Sequence, residues 1–461
     1  MKLSKKQVRR RAIRRLPRVR FRGQQLTSFA GLILFHAVIA RLNLRERLRV
    51  CFRHLKVENL YTHATVVLGL VIHLLLGYRE LRDIKFYEED PVVRRTWSLK
   101  RLPNVSTISR VLASIDMRAV EELRALVRDL VLTRLGSLCL PRITLDFDGC
   151  VIRTNRWAEG TAVGFNPRKK GQRSYYPLFC TVAQTGQVLD ALHRPGNVHD
   201  SQGAAEFIRG CVLQIRSVLP TAIIEVRMDS AFFSNSIVQQ LQDLGVEFSI
   251  SVPFARFAEL KQLVQGRNRW RRLNASVSYF ELDWKPKSWP RRYRFLAVRT
   301  RTPVRQRGAV QLDLFEPFAY GFEFKVIVTN KKMGARAVVA FHNGRGAQEA
   351  VFAELKSQGH LEYVPTRKLP ANQVYLFASV LAYNLNRELQ MQVREPDRTT
   401  TAKRPALWKF EKLGTIRRKF VQRAGTLTKP QGKLTLTLNE NRALKTEMCQ
   451  YLDALEAAGG S

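Results

Sequence analysis

The sequence predicts an α/β protein, its strands set between a helical N-terminal region and a helical C-terminal region, and three observations predict it. Helical periodicity fills residues 27 to about 136, apolar alternation begins at 141, and a strand-rich block over 251–330 gives way to helices again. A chain of 461 residues exceeds one ordinary core, and its 45% hydrophobic content is that of a folded chain, so two or three domains are expected.

Each segment has its local reason. Residues 1–25 read as a basic arm, because "MKLSKKQVRRRAIRRLPRVRFRG" carries eleven basic residues and no acid; such a segment orders on phosphates. Residues 26–138 are helical: "TSFAGLILFHAVIARLNLRERL" has a wide apolar face, and "DMRAVEELRALVRDLVLTRLG" repeats Val120, Leu123, Val127, Leu130 and Val131 before Gly136. Between them, "LPNVSTISRVLAS" reads as a helix capped by Ser106 and carrying Arg110, either the second helix of a helix-turn-helix or plain packing.

Over 139–250 the pattern changes. "RITLDFDGCVIRT" alternates, "YYPLFCTVAQTGQVLDALHRPGN" makes two strands joined at Gln-Thr-Gly-Gln, "GAAEFIRGCVLQIRSVL" is amphipathic, and "TAIIEVRMD" is a further strand. The first and fourth strands are expected side by side with their C-terminal residues together, the usual place for a site in such a sheet. Residues 251–325 read as a β-rich insertion with a loop within 303–317. Helices return over 326–395, in "GAQEAVFAELKSQG" and "ANQVYLFASVLAYNLNRELQMQV", and 396–461 closes with the amphipathic "NRALKTEMCQYLDALEAA".

Lys and Arg total 78 against 38 Asp and Glu, a formal charge of +40 spread along the chain. Such a surface calls for a polyanion, most commonly DNA or RNA. A membrane is disfavoured, because "VVLGLVIHLLLGY" at 66–78 is interrupted by His73 and too short to span a bilayer. No secretory signal follows the basic start. Six cysteines without a C-x-x-C pair argue against a zinc ribbon or disulfide framework and fit a reducing cytosol, as small buried hydrophobes.

In so basic a chain, an acid inside an apolar strand needs a reason. Asp146 and Asp148 in "LDFDGC" share one strand face, and Asp229 ends a later strand in "VRMDSAFFS". Carboxylates at the ends of adjacent strands suit Mg²⁺ or Mn²⁺; alone, Asp229 reads equally as a helix cap. In "HNGRGAQEAVFAELK", His342, Arg345, Glu349 and Lys356 are spaced three, four and seven apart, which on one helix places all four on one face. Glu349 then offers a third carboxylate, and an Arg345–Glu349 ion pair is the plainer alternative.

Asp148 in "LDFDG", Asp229 in "RMDSAFF" and His342-x2-Arg345-x3-Glu349-x6-Lys356 resemble the DDE transposases of bacterial insertion sequences that carry a Y-R-E-K signature. "YYPL", "HRPGNVHD", the flanking "SFAGLILFHAVIARLNL" and "LTKPQGKLTLTL" extend the resemblance over nearly the whole chain. The signature's tyrosine position holds His342, after Phe341.

The resemblance implies a ribonuclease-H-like catalytic core, a mixed sheet with flanking helices, interrupted by the β-rich insertion and preceded by a helical DNA-binding region. It implies Asp148, Asp229 and Glu349 as catalytic acids holding two Mg²⁺ ions, for which Mn²⁺ substitutes, with Asp146 second choice for the first acid. His342, Arg345 and Lys356 would grip DNA phosphates, and Trp270, Trp284 and Trp289 stack on an unpaired base or pack the insertion. The implied activity is binding of terminal inverted repeats, hydrolytic cutting at the element ends and joining of the 3′-OH ends to target DNA. The partners would be double-stranded DNA and a second copy of the chain, in the bacterial cytoplasm at the nucleoid, with no small-molecule cofactor. A transposase-derived DNA-binding protein without activity, an RNA-binding structural protein, and a ribonuclease or resolvase are the competing readings.

Overall fold

The computed structural model describes residues 25–56, 60–164, 171–199, 201–301, 321–397 and 407–457; the basic arm up to residue 24 and the loop expected within 303–317 lie outside them. A nine-stranded sheet organises the chain. In chain order its strands are β1 (Arg142–Gly149), β2 (Leu178–Val182), β3 (Val188–Leu192), β4 (Ile223–Met228), β5 (Glu247–Val252), β6 (Arg271–Arg272), β7 (Val277–Leu282), β8 (Arg294–Arg301) and β9 (Phe322–Thr329). Their order across the sheet is β6-β7-β8-β9-β5-β4-β1-β2-β3. β1, β4 and β5 run parallel, whereas β2 is antiparallel to β1 and β9 antiparallel to β5.

The first and fourth strands do lie side by side, in a register that sets Asp146 opposite Arg227 and Phe147 opposite Met228. The turn joining β2 to β3 is the expected Gln184–Gln187 stretch, where Gly186 takes φ +60°, a conformation side chains resist. The insertion's strands form no separate sheet. β9 pairs along the edge of β5, so β6–β9 prolong the same sheet.

Among the described residues six α-helices precede β1: α1 (Leu32–Arg41), α2 (Leu44–Phe52), α3 (His63–Leu76), α4 (Pro91–Trp97), α5 (Val105–Ala113) and α6 (Met117–Leu138). α7 (Ala204–Val218) and α8 (Asn235–Asp243) cover one sheet face, on which Ile143, Leu145, Phe147, Val226, Met228, Phe248 and Ile250 are buried. α9 (Ala258–Gln265) follows β5. α10 (Ala335–Asn343) and α11 (Gly346–Ser357) lie over the opposite face. α12 (Leu369–Met391) is the long apolar helix read from the sequence. It is buried from Ala371 to Met391, in one core with α1, α3 and the first half of α6. Two of its buried polar side chains tie it to neighbouring elements: Asn384 exchanges hydrogen bonds of 2.9 and 2.8 Å with the Val188 backbone, and Arg387 donates to Glu354 at 2.6 Å. α13 (Arg442–Ala457) ends the described chain.

Some local expectations are corrected. α5 is capped by Asn104, whose side chain accepts from Thr107 N at 2.9 Å, and Ser106 instead donates to Asn104. Asparagine at that position already satisfies the orphan N–H, so serine has nothing left to cap. The C-terminal region is only partly helical, since Gly425–Thr428 and Thr435–Leu438 pair as a hairpin whose inner strand also takes up Leu26–Thr27. Four cysteines are buried and two, Cys139 and Cys449, are exposed. No helix among the described residues is long and apolar enough to cross a membrane.

α3 approaches α4 through Gly69. A methyl group there would stand 1.6 Å from the Trp97 ring, whose indole N–H donates to Thr65 O at 2.7 Å. Alanine gains about 1 kcal/mol of helix propensity, but overpacking a filled core costs roughly 1–3 kcal/mol or more. Gly69→Ala is therefore expected to lower the thermal unfolding midpoint, whereas Gly136→Ala, where nothing lies within 4 Å, raises or preserves it.

Candidate active site at the C-terminal ends of two parallel strands

Alternation along β1, β4 and β5 puts apolar residues on the face covered by α7 and α8, and polar ones on the face beneath α10 and α11. Thr144, Asp146 and Asp148 come from β1, Glu225 and Arg227 from β4 with Asp229 just after it, and Glu247, Ser249 and Ser251 from β5. Asp146 and Arg227 are almost wholly buried and form a forked pair, Nε to Oδ1 and Nη2 to Oδ2 both 2.6 Å. Arg227 Nη1 also donates to Phe341 O at 3.1 Å, and Gln348 Nε2 donates to Asp146 O at 3.0 Å. Asp146 is thus engaged on all sides, which leaves Asp148 as the acid of β1 that faces the strand end.

Continuing the β1–β4 register by one step places Asp148 beside Asp229, on neighbouring strands about 4.8 Å apart. Asp148 Oδ1 accepts from Gly149 N at 2.8 Å, and Oδ2 from Arg345 Nη1 at 3.1 Å. Asp229 caps the turn Ser230–Phe232 by accepting from Ala231 N at 3.0 Å, so its reading as a cap holds. Arg345 Nη2 lies 3.7 Å from Glu349 Oε1, and the Glu349 side chain is 69% exposed. Arg345 therefore stands between two of the three expected acids. Among the described residues no three His, Cys, Asp or Glu side chains gather closely enough to hold a metal. The donor set fits a hard divalent ion in chemistry, since Asp148, Asp229 and Glu349 offer only carboxylate oxygens from elements that meet at this end of the sheet.

The single helical face expected for His342, Arg345, Glu349 and Lys356 is broken. α10 ends at Asn343, and Arg345 N bonds to His342 O three residues back, so the junction tightens before α11 begins. His342 consequently turns inward. It is 1% exposed, with Nδ1 3.0 Å from Ser249 Oγ and Nε2 2.9 Å from Ser251 Oγ, so as placed it reaches no phosphate at the surface. Burial, with Lys325, Arg345 and Arg227 nearby, pushes its pKa down to about 3. Lys356 lies against Cys150, two residues beyond Asp148, whose thiol burial pushes up to about 11 against the opposing ammonium.

Trp284 and Trp289 are buried: Trp284 meets Phe257 and Phe295 edge to face at 5.2 Å, and Trp289 stacks on Phe233 at 4.7 Å. They pack the insertion against the turn after Asp229. Trp270 is half-buried, edge to face with Phe280 and covered by Arg299 at 4.6 Å. The exposed tryptophan is Trp157, at 60%, in the loop after β1, and nothing in its flanking residues had singled it out. Lys325 on β9 was also missed. Burial and the Arg345 charge hold its ammonium below the usual range, with Glu323 and Glu349 opposing. Its signal was the alternation of "FEFKVIV".

Against known proteins, the profile of the Transposase DDE domain group 1 family matches residues 7–459. The chain belongs to this DDE transposase family. No curated protein sequence matches it. Among solved structures, it is similar to the piggyBac transposase synaptic complex with hairpin DNA, at 10% identity and TM-score 0.42, covering 91% of this chain and 85% of that one. A Mos1 transposase paired-end complex with the left transposon end matches at 12% identity and TM-score 0.17, covering 37% of this chain and 57% of that one.

The buried histidine has a measurable consequence. A histidine whose folded pKa lies near 3 against an ordinary 6.5 contributes stability that is complete above about pH 6.5 and is lost as pH falls toward 3. Between pH 7 and 5, wild type should lose about 2 kcal/mol more unfolding free energy than His342→Gln. His73 and His193, also buried and lowered, are shared by both proteins and cancel in the difference. Urea unfolding at the two pH values measures it, and equal losses would remove His342 as the cause.

Proposed function

We propose that the chain is an active transposase that cuts DNA at the ends of an insertion sequence and joins the freed 3′-OH ends to a target. The observation that carries this reading is the β1–β4 register, which brings Asp148 and Asp229 to one strand end beneath the helix that bears Glu349. The core is then ribonuclease-H-like, its strand order β3-β2-β1-β4-β5 prolonged by the insertion. Asp148, Asp229 and Glu349 would hold two Mg²⁺ ions, which when bound supply an activated water and charge stabilisation at the leaving 3′ oxygen. Arg345 and Lys356 bind and orient phosphates beside the cut, and Lys325 adds a third cation there. No side chain forms a covalent bond to DNA. The net charge of +40 supplies affinity for both transposon ends and target, and paired cutting of two ends calls for two copies of the chain, acting at the bacterial nucleoid.

A plasmid carrying the coding region with its native flanking DNA is the substrate of choice. Asp148→Asn, Asp229→Asn and Glu349→Gln should each lower Mg²⁺-dependent cutting on the order of 10³-fold or more, the loss of several kcal/mol of charge stabilisation, while gel-shift binding persists. Equal cutting by wild type and Asp229→Asn would overturn the reading. Binding without cutting by wild type would favour the inactive DNA-binding protein instead. Affinity for duplex should fall about 10³-fold or more between 50 and 200 mM salt if six or more phosphates are neutralised, and a flat salt profile would remove charge as the source of binding.

A further inference from the structure

We infer that Arg227 is a positioning residue for the three acids, acting through a buried hub with Asp146 and Gln348; the inference rests on the assignment of Asp148, Asp229 and Glu349 proposed above. Every member of the hub is two residues or fewer from one of those acids: Asp146 two before Asp148, Arg227 two before Asp229, Gln348 immediately before Glu349. The hub's bonds run between four elements, β1, β4, α10 and α11. Arg227 forks onto Asp146 at 2.6 Å twice, joining β4 to β1, and reaches Phe341 O of α10 at 3.1 Å. Gln348 Nε2 closes the circuit from α11 to the Asp146 carbonyl at 3.0 Å.

The space around the guanidinium is made for it. A Cβ on Gly344, at the junction of α10 and α11, would stand 2.1 Å from Arg227 Nη1 although the glycine's own backbone is ordinary helix. The ring of Phe341 lies against the guanidinium, with Cζ 5.3 Å from its centroid, and on Lys331 Nζ at 4.1 Å. A fork of fixed, planar geometry sets distance and angle between its partners, which a lysine point charge does not. Removing the fork should therefore loosen the relative placement of the acids before it unfolds the sheet. A metal site tolerates little such loosening, because its ligands must converge from three separate elements.

The test pairs Arg227→Lys with the double variant Asp146→Leu/Arg227→Met, which replaces a buried ion pair by apolar groups and so leaves no orphan charge. Thermal unfolding and gel-shift binding to duplex report fold and DNA affinity. Mn²⁺ binding by electron paramagnetic resonance, taken as the part that Asp229→Asn abolishes, and Mg²⁺ titration of plasmid cutting report the acids. The expected result is unfolding within a few degrees of wild type and DNA affinity within about twofold, but a Mn²⁺ Kd and a half-saturating Mg²⁺ raised together by about tenfold or more. A merely structural role would lower the melting temperature and leave the metal affinity of the folded protein unchanged, and that result overturns the inference. If the double variant does not fold, Gln348→Met, which removes one hydrogen bond and no charge, decides: a raised metal requirement supports the hub and a wild-type one overturns it. Should wild type and Asp229→Asn bind Mn²⁺ and cut alike, it is the assignment of the acids that fails.

Discussion

The buried pair of Asp146 and Arg227 is the constraint on which the arrangement of this molecule depends. Two full charges with almost no exposure are expensive to desolvate, and their attraction repays that cost only in good geometry with the remaining donors satisfied. Here the geometry is a bidentate fork, and the spare nitrogen has a carbonyl. The two residues sit directly opposite each other in the parallel β1–β4 register. A slip of β1 by one residue would turn the carboxylate toward Phe147's present neighbours and leave the buried guanidinium without its partner, so the pair selects one register over its alternatives. Selection of register, more than net stability, is what such a pair does best.

The same sheet face is polar along its length. At the far end from Asp148, Glu225 is buried among Arg142 at 2.7 Å, Thr144 at 2.8 Å and Lys331, and Glu247 shares both cations. The ring of Phe341 lies between the two cationic centres, Arg227 and Lys331, so an apolar helix residue is accommodated over charged strands by its π face. His342 completes the layer with two serine hydroxyls. The opposite face is ordinary hydrocarbon under α7 and α8. One sheet thus presents a greasy side that holds the domain together and a bonded side that fixes where α10 and α11 lie.

That division explains what was legible in the sequence. Strands β1 to β4 and helices α7 and α12 could be read because each carries its own period, and Gly186 marks its turn. The Asp148–Asp229 juxtaposition followed from two alternating strands ending in acids. What failed was whatever depended on partners distant in sequence. One helical face for His342, Arg345, Glu349 and Lys356 assumes an unbroken helix, but the tightened junction at Gly344 and Arg345 turns the histidine to β5. Of the two readings open for the insertion's tryptophans, Trp284 and Trp289 take packing, and the sequence could not name the partners that enclose them, Phe233, Phe257 and Phe295, because they lie far apart along the chain. Nothing local could tell that β9 would dock on β5 and merge the insertion into the sheet.

An acid inside so basic a chain was expected to have a reason, and two different reasons operate. Buried acids away from the strand ends have their bonds filled within the fold: Glu354 by Arg387, Asp190 by Arg124 and Arg128, Glu388 by Arg134, Glu225 by Lys331 and Asp146 by Arg227, while Asp90 accepts from the Thr27 hydroxyl and from backbone N–H groups. Their geometry is spent on structure. The acids at the strand ends are placed otherwise. Asp148 shares Arg345 with Glu349 at longer distances, and the Glu349 side chain is mostly in solvent. Partial solvation keeps the desolvation cost of these carboxylates low while they stand near one another, and Arg345 offsets part of their mutual repulsion. A cation approaching Asp146 would have to break a buried fork. Along this face the buried fork at Asp146 is closed to solvent, whereas the acids at the strand end keep partial exposure.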